Sequence, residues 1–302
     1  MKSAQGFTGD NMYVIVGAGG FLGSHLIKSV LEKTDDNIFA LARTDNVFSA
    51  ESNRVTVMKG DLTDEAYISF VAEKIKNENL KVIYTAACHN IDYVAAHPDE
   101  AYHMNVTVPC EFLEKIGKTD SLLFTSSDTV YGEGGSYAFR EEDELSPLST
   151  YGRQKLEAEK VFIAHGGKTL RLPLMFSESI SPVKKHFCDT IRENLRNKIP
   201  TKLVTGAVRS TLDYGTVADI ITELSVIQNV PDVLNIAGED PLSKYELGVL
   251  YAGAVGADTS LIVPVESFGA PPVYDARRAD STVMSNEKLK KLLGREEIKI
   301  KL

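Results

Sequence analysis

Long apolar runs are missing from this chain. None of its stretches approaches the ~20 consecutive apolar residues of a membrane-spanning helix, so the sequence reads as a soluble protein without a membrane partner. Cysteine is scarce: Cys88, Cys110 and Cys188 lie far apart and show no CxxC spacing. That excludes a disulfide scaffold and a thiolate metal framework, and it points to reduced thiols in a cytoplasmic protein. Cations are in deficit, with a formal net charge of -9. A nucleic-acid surface needs a basic stripe, so no nucleic-acid partner is expected, although local groups can still bind a nucleotide. Residues 1–11 lack the basic start and long apolar centre of a signal peptide and read as a loose leader.

What is present is an alternation of short apolar runs with helical periodicity, in a chain of 302 residues that can bury a large α/β core. Met12 to Val16 is followed by Gly17-Ala18-Gly19-Gly20-Phe21-Leu22-Gly23, after which Leu26, Ile27, Val30 and Leu31 recur at helical spacing. A strand, a tight glycine turn and a helix let the backbone approach a pyrophosphate while N–H groups at the helix start face it. Further strands are expected at Ile38–Ala42, Val55–Met58, Lys81–Tyr84, near Leu122–Phe124, at Lys168–Leu172 and at Val233–Ala237. A helix is expected from His186 to Asn197, and one long helical element from His97 to Leu113.

The stretch from Leu122 to Lys155 carries the chemistry. Ser127 stands at a strand end, and Tyr151-Gly152-Arg153-Gln154-Lys155 follows after a polar loop. On a helix, positions i and i+4 share a face, so the Lys155 amine stands beside the Tyr151 phenol. A free phenol titrates near pH ~10, and a neighbouring cation is expected to lower that value, fitting Tyr151 for proton transfer. An isolated YxxxK pair is also what an ordinary solvated helix presents. The glycine turn, the hydroxyls and the βα alternation distinguish the two readings.

Together these residues resemble the extended short-chain dehydrogenase/reductases over nearly the whole chain. The GxxGxxG spacing of Gly17, Gly20 and Gly23 is similar to that family's variant of the dinucleotide turn. The resemblance implies a doubly wound parallel Rossmann sheet with a smaller, mainly C-terminal substrate lobe. Residues 12–172 would bind the dinucleotide, with 207–240 returning to that domain, and 173–206 and 241–302 would form the lobe. It implies catalysis by Ser127, Tyr151 and Lys155, the last two also touching the cofactor. Gly17, Gly20, Phe21, Leu22 and Gly23 would form the phosphate turn, Asp61 and Leu62 would meet the adenine, and Ala86 and Ala87 would let the cofactor pass close to backbone. Thr85 departs from the family's asparagine at the cost of a structural hydrogen bond. Ala42 stands where NAD enzymes place an acid, and Arg43 follows. An Arg there accommodates a 2′-phosphate, so NADP is expected ahead of NAD, with Asp45 the acid that would favour NAD.

Several local readings stay open. Asp61 or Thr63 can cap the helix after them, and Thr216 or Asp219 the helix before Val233. His89 reads as a packing residue, and Arg140-Glu141-Glu142-Asp143-Glu144 as a solvated loop. Arg209 is a surface ion-pair partner or an anion ligand, its fork suiting phosphate oxygens. Ser127-Asp128-Thr129-Val130-Tyr131, together with Tyr274 to Ser281 and the following Lys-Leu helix, is similar to dTDP-4-dehydrorhamnose reductases, although the turn lacks their proline. The substrate implied is a nucleotide-linked sugar contacting Ser127, Asp128 and Arg209, with no metal and with a homodimer paired through helices flanking the sheet. Three activities share such residues: reductases, 4-epimerases that keep NAD bound, and a non-catalytic regulatory subunit such as that of methionine adenosyltransferase. Asp128-Thr129, in place of Asp-Glu, argues against a 4,6-dehydratase.

Overall fold

A computed structural model describes residues 11–76, 79–134, 137–266 and 277–302. The first strand, β1 (Met12–Val16), leads through the glycine turn into α1 (Phe21–Lys33) and β2 (Asn37–Ala42). Next come β3 (Val55–Lys59), α2 (Glu65–Ile75) and β4 (Leu80–Tyr84). The expected long helix between His97 and Leu113 is broken. Short α3 (Ile91–Ala96) and α4 (Pro98–Tyr102) precede a wide π turn over His103–Thr107 and then α5 (Val108–Ile116). Pro109 explains the π turn, because a proline ring collides with the carbonyl four residues back and a wider turn moves that carbonyl away.

Strand β5 (Ser121–Ser127) is followed by α6 (Thr150–Ala164), β6 (Lys168–Leu172) and α7 (Phe187–Arg196). The rest comprises β7 (Thr201–Val204), β8 (Val208–Arg209), α8 (Tyr214–Leu224), β9 (Val233–Asn235), α9 (Lys244–Ala254), β10 (Ile262–Val265), β11 (Ser281–Thr282) and α10 (Glu287–Leu293). Seven strands form one parallel sheet in the order β3-β2-β1-β4-β5-β6-β9. The order reverses between β1 and β4, and ligands of such sheets bind in the crevice at the carboxyl ends of the strands there.

Strand β1 is apolar throughout because both sheet faces are covered. Tyr13 and Ile15 pack with α1 and α8 on one side, while Met12, Val14 and Val16 pack with α2, α5 and α6 on the other. A smaller core gathers Phe176, Ile191, Leu195, Leu247 and Tyr251 around α7 and α9. The parallel pairs β7–β10 and β8–β11 lie outside the main sheet.

Several local expectations are corrected. Asp64, not Asp61 or Thr63, caps α2, its side chain accepting from Ala66 N. Asp213 caps α8 in place of Thr216 or Asp219. Glu141 is not solvated: its side chain is buried, its carboxylate accepts from Asn235 N, and its carbonyl accepts from Arg171 Nη1.

Candidate functional site

The glycine turn is shaped by the absence of side chains. Gly17 has φ +93°, and a Cβ there would lie 2.7 Å from Thr85 Oγ1 and 2.9 Å from Ala86 N. A Cβ on Gly23 would lie 2.4 Å from Gly17 O. Gly20 is the N-cap of α1 and has no side chain with which to cap it. Such a start favours an anion, and the bare turn gives it a close approach. Thr85 keeps a structural hydrogen bond after all, donating from Oγ1 to Val16 O at 2.8 Å.

Turn and strand ends open on one cavity of about 1130 Å³. The residues expected above to meet the cofactor phosphates, the adenine or the substrate, or to carry the catalysis, line it: Gly17, Gly20, Phe21, Leu22 and Gly23 of the turn, Arg43, Asp61 and Leu62, Ala86 and Ala87, Ser127 and Asp128, Tyr151 and Lys155, and Arg209. After β3, Asp61 accepts from Thr63 N and Oγ1, and the backbone bond is the main reason its carboxyl is held below the usual range, with Arg43 adding to it. Asp45, the acid that would favour NAD, bonds Lys59 at 2.8 Å and does not line the cavity. In the middle, Asn105 joins Cys88 N and O to Gln154 Oε1, fixing the loop after β4 against α6.

Helix α6 brings the tyrosine and lysine to β5. Ser149 caps it by accepting from Gly152 N. Lys155 is 2 % exposed; its Nζ donates to Thr125 O at 2.7 Å and lies 4.0 Å from the centre of the Phe124 ring. Burial lowers its amine to about 7, with Glu159 opposing. The Tyr151 phenol is raised, first by burial and then by the charges of Asp128 and Cys88. The expected lowering by the lysine is therefore not met in the free protein: Lys155 points to a backbone carbonyl, and desolvation is the larger effect on the phenol. Ser127 ends β5 with an oriented hydroxyl, which donates to Asp128 Oδ1 and accepts from Thr129 N and Oγ1.

Arg209 is not a surface ion-pair partner. It is 8 % exposed, and its Nε meets Asp128 Oδ2 at 3.2 Å while Nη1 and Nη2 donate to the carbonyls of Val208 and Ala279. Most of its donors are thus engaged within the protein. Asp128 is also buried and accepts from Thr282 Oγ1; burial raises its carboxyl against the pull of Arg209.

Four cations that sequence reasoning did not assign to the site also line the cavity: Lys184, Lys244, Arg277 and Arg278. Burial, then Arg278 and Arg209, lowers the Lys244 amine. Arg278 bonds Asp92 at 2.9 Å. No spacing rule links these positions, since separate segments supply them. His89 lines the same space, lowered by burial and then by Lys184. The part of the C-terminal turn from Tyr274 to Ala276 lies outside the described residues. Among the described residues, no three His, Cys, Asp or Glu side chains gather to hold a metal, and no helix is long and apolar enough to cross a membrane.

The family model for the RmlD substrate binding domain matches residues 11–300. Methionine adenosyltransferase 2 subunit beta of Bos taurus is 25% identical over 226 residues, 70% of this chain and 64% of that protein, so less than two thirds of that relative's length is spanned. A dTDP-4-dehydrorhamnose reductase of Bacillus anthracis, solved with NADP, superposes with a TM-score of 0.77 at 16% identity, over 96% of this chain and 95% of that one. UDP-glucuronic acid 4-epimerase from Bacillus cereus, solved with UDP-glucuronic acid and NAD, gives 0.79 at 19% identity, over 95% and 94%. At these identities the structural likeness is one of fold.

Proposed function

This chain belongs to the RmlD substrate binding domain family, and from that premise we propose that it is an NADP-dependent reductase of a keto group on a nucleotide-linked sugar. The supporting observation is one cavity with a bare glycine turn in its wall and Ser127, Tyr151 and Lys155 in the same lining. In a chain of net charge -9, that cavity also collects Arg43, Lys184, Lys244, Arg277 and Arg278, which suits a ligand rich in phosphate.

The dinucleotide, when bound, supplies the hydride that adds to the carbonyl carbon. The start of α1 and its glycine turn would hold the pyrophosphate, and Arg43 would meet the 2′-phosphate. Ser127, its oxygen held by Thr129 N and Oγ1, turns its one hydroxyl proton from Asp128 Oδ1 to the carbonyl oxygen and fixes its direction. Tyr151 transfers its phenolic proton to that oxygen as the alkoxide develops. Its raised pKa keeps it protonated before reaction, the form a proton donor needs. Lys155, which keeps further N–H donors beside the one given to Thr125 O, would hold ribose hydroxyls.

Tyr151→Phe removes the donor while keeping the ring. Turnover of nucleotide-linked 4-keto sugars with NADPH is expected to fall about 10²–10⁴-fold, with the NADPH dissociation constant nearly unchanged. Parental turnover in that variant would sink the assignment. The sequence relatives support a second reading, a non-catalytic NADP-binding subunit. NADPH binding without turnover on any keto sugar, with a partner protein co-purifying, would select it. A protein isolated with non-exchanging NAD would instead select a 4-epimerase.

A further inference from the structure

Between β6 and α7 the chain runs through residues 177–186 and crosses back over the glycine turn. Ser181 Oγ donates to Gly19 O at 3.1 Å, and the His186 ring meets that of Phe21 edge-on with centroids 5.2 Å apart. The strap is pinned internally as well. Ser179 Oγ donates to Lys184 O at 2.8 Å, Ser179 N donates to Asp189, and His186 caps α7 by accepting from Cys188 N. The Lys184 backbone is therefore held, and its side chain lines the cavity that Arg43 lines from the end of β2.

Lys184 and Arg43 thus bring two like charges to one cavity from the strap and from the end of β2. Neither the Lys184 amine nor the Arg43 guanidinium has a hydrogen-bond acceptor or carboxylate within salt-bridge distance among the described residues. Arg43 adds to the cost of charging Lys184: burial and then Arg43 lower the Lys184 amine. An anion bound between them would relieve that repulsion and receive a charge-assisted contact from each side.

We propose that Lys184, carried on the 177–186 strap, joins Arg43 in binding the 2′-phosphate of NADP(H), so that cofactor choice is decided jointly by the β2 end and by a segment outside the dinucleotide-binding sheet. This rests on the dinucleotide reading of the cavity given above. Ala42 and the outward turn of Asp45 to Lys59 leave the β2 end without an acid to select NAD, but they supply only one cation. The strap supplies the second, and its bond to Gly19 couples that cation to the pyrophosphate turn.

Binding of NADPH and of NADH to the purified full chain, followed by nicotinamide fluorescence at fixed ionic strength, tests it. The parent is expected to prefer NADPH. Lys184→Gln is expected to weaken NADPH by about tenfold or more, the size of one charge-assisted contact, and to leave NADH within about twofold. Lys184→Arg should retain the preference, and Arg43→Gln should reproduce the selective loss. Three results overturn the inference while leaving the dinucleotide reading intact: NADPH unaffected by Lys184→Gln, NADPH and NADH weakened alike, or a parent that binds the two equally. A parent that binds neither dinucleotide overturns the functional reading itself, and this inference with it.

Discussion

Lys155 shows how much one residue's chemistry depends on what covers it. Its spacing from Tyr151 predicts a shared helical face, and α6 supplies one, yet the amine is spent on Thr125 O. A lysine that titrates near 7 when folded and near ~10.4 when unfolded makes a definite pH prediction. Between those values the unfolded chain holds a proton that the folded chain lacks, so this group's contribution to stability rises with pH across that window, by on the order of 1 kcal/mol per pH unit. It is fully present above the unfolded value and is lost as pH falls towards 7. Lys155→Met should remove the slope, and denaturant unfolding of parent and variant at pH 7.5 and 9.5 would measure it. Equal slopes in the two proteins would show that burial does not hold the amine down.

At the level of elements, α6 reaches β5 only because position 152 has no side chain. A Cβ on Gly152 would lie 2.6 Å from Thr129 O and 2.9 Å from Pro147 Cβ, and the first of these is backbone that cannot swing aside. Gly152→Ala should therefore push the start of the helix off the Ser127 turn. We expect it to cost about 1–3 kcal/mol in urea unfolding, the range for overpacking, and to lower turnover more than NADPH binding. Gly253→Ala is the matched control. It lies near the end of α9 with nothing within 4 Å of the new Cβ, so the same exchange should be neutral or stabilise by up to about 1 kcal/mol through helix propensity alone. Similar effects at both positions would refute the close-approach account. The π turn ahead of α5 belongs to the same scale: it lets a proline sit in what the family resemblance implies is one long helical element.

Across the whole molecule, the C-terminal segment returns to the end of β5 through Arg209 and Asp128. β8 pairs with β11, Arg209 donates to Ala279 O, and Asp128 accepts from Thr282, so residues from three distant parts of the chain close one wall of the cavity. Arg209→Met should leave a buried carboxylate without its cation and destabilise the fold by about 3–5 kcal/mol near neutral pH. Adding Asp128→Asn should restore part of that loss. Denaturation midpoints of the two variants would decide it, and a single variant as stable as the parent would mean the ion pair does not hold the wall.

The sequence by itself determined the strands of the main sheet and most of the helices beside it, with small shifts at their ends, and the glycine turn after β1, but not the break in the helical segment between β4 and β5. These follow from signals within a few residues: apolar runs, helical periodicity, and residues without Cβ at a turn. It also brought Ser127, Tyr151 and Lys155 to notice through spacing on one strand end and one helix. Only the tertiary structure decided that Arg209 is engaged by Asp128 and backbone carbonyls, that Glu141 is buried, and that Lys184, Lys244, Arg277 and Arg278 meet in one cavity. Those facts depend on which distant segments face each other and on how much water is excluded between them. Local periodicity carries no record of either.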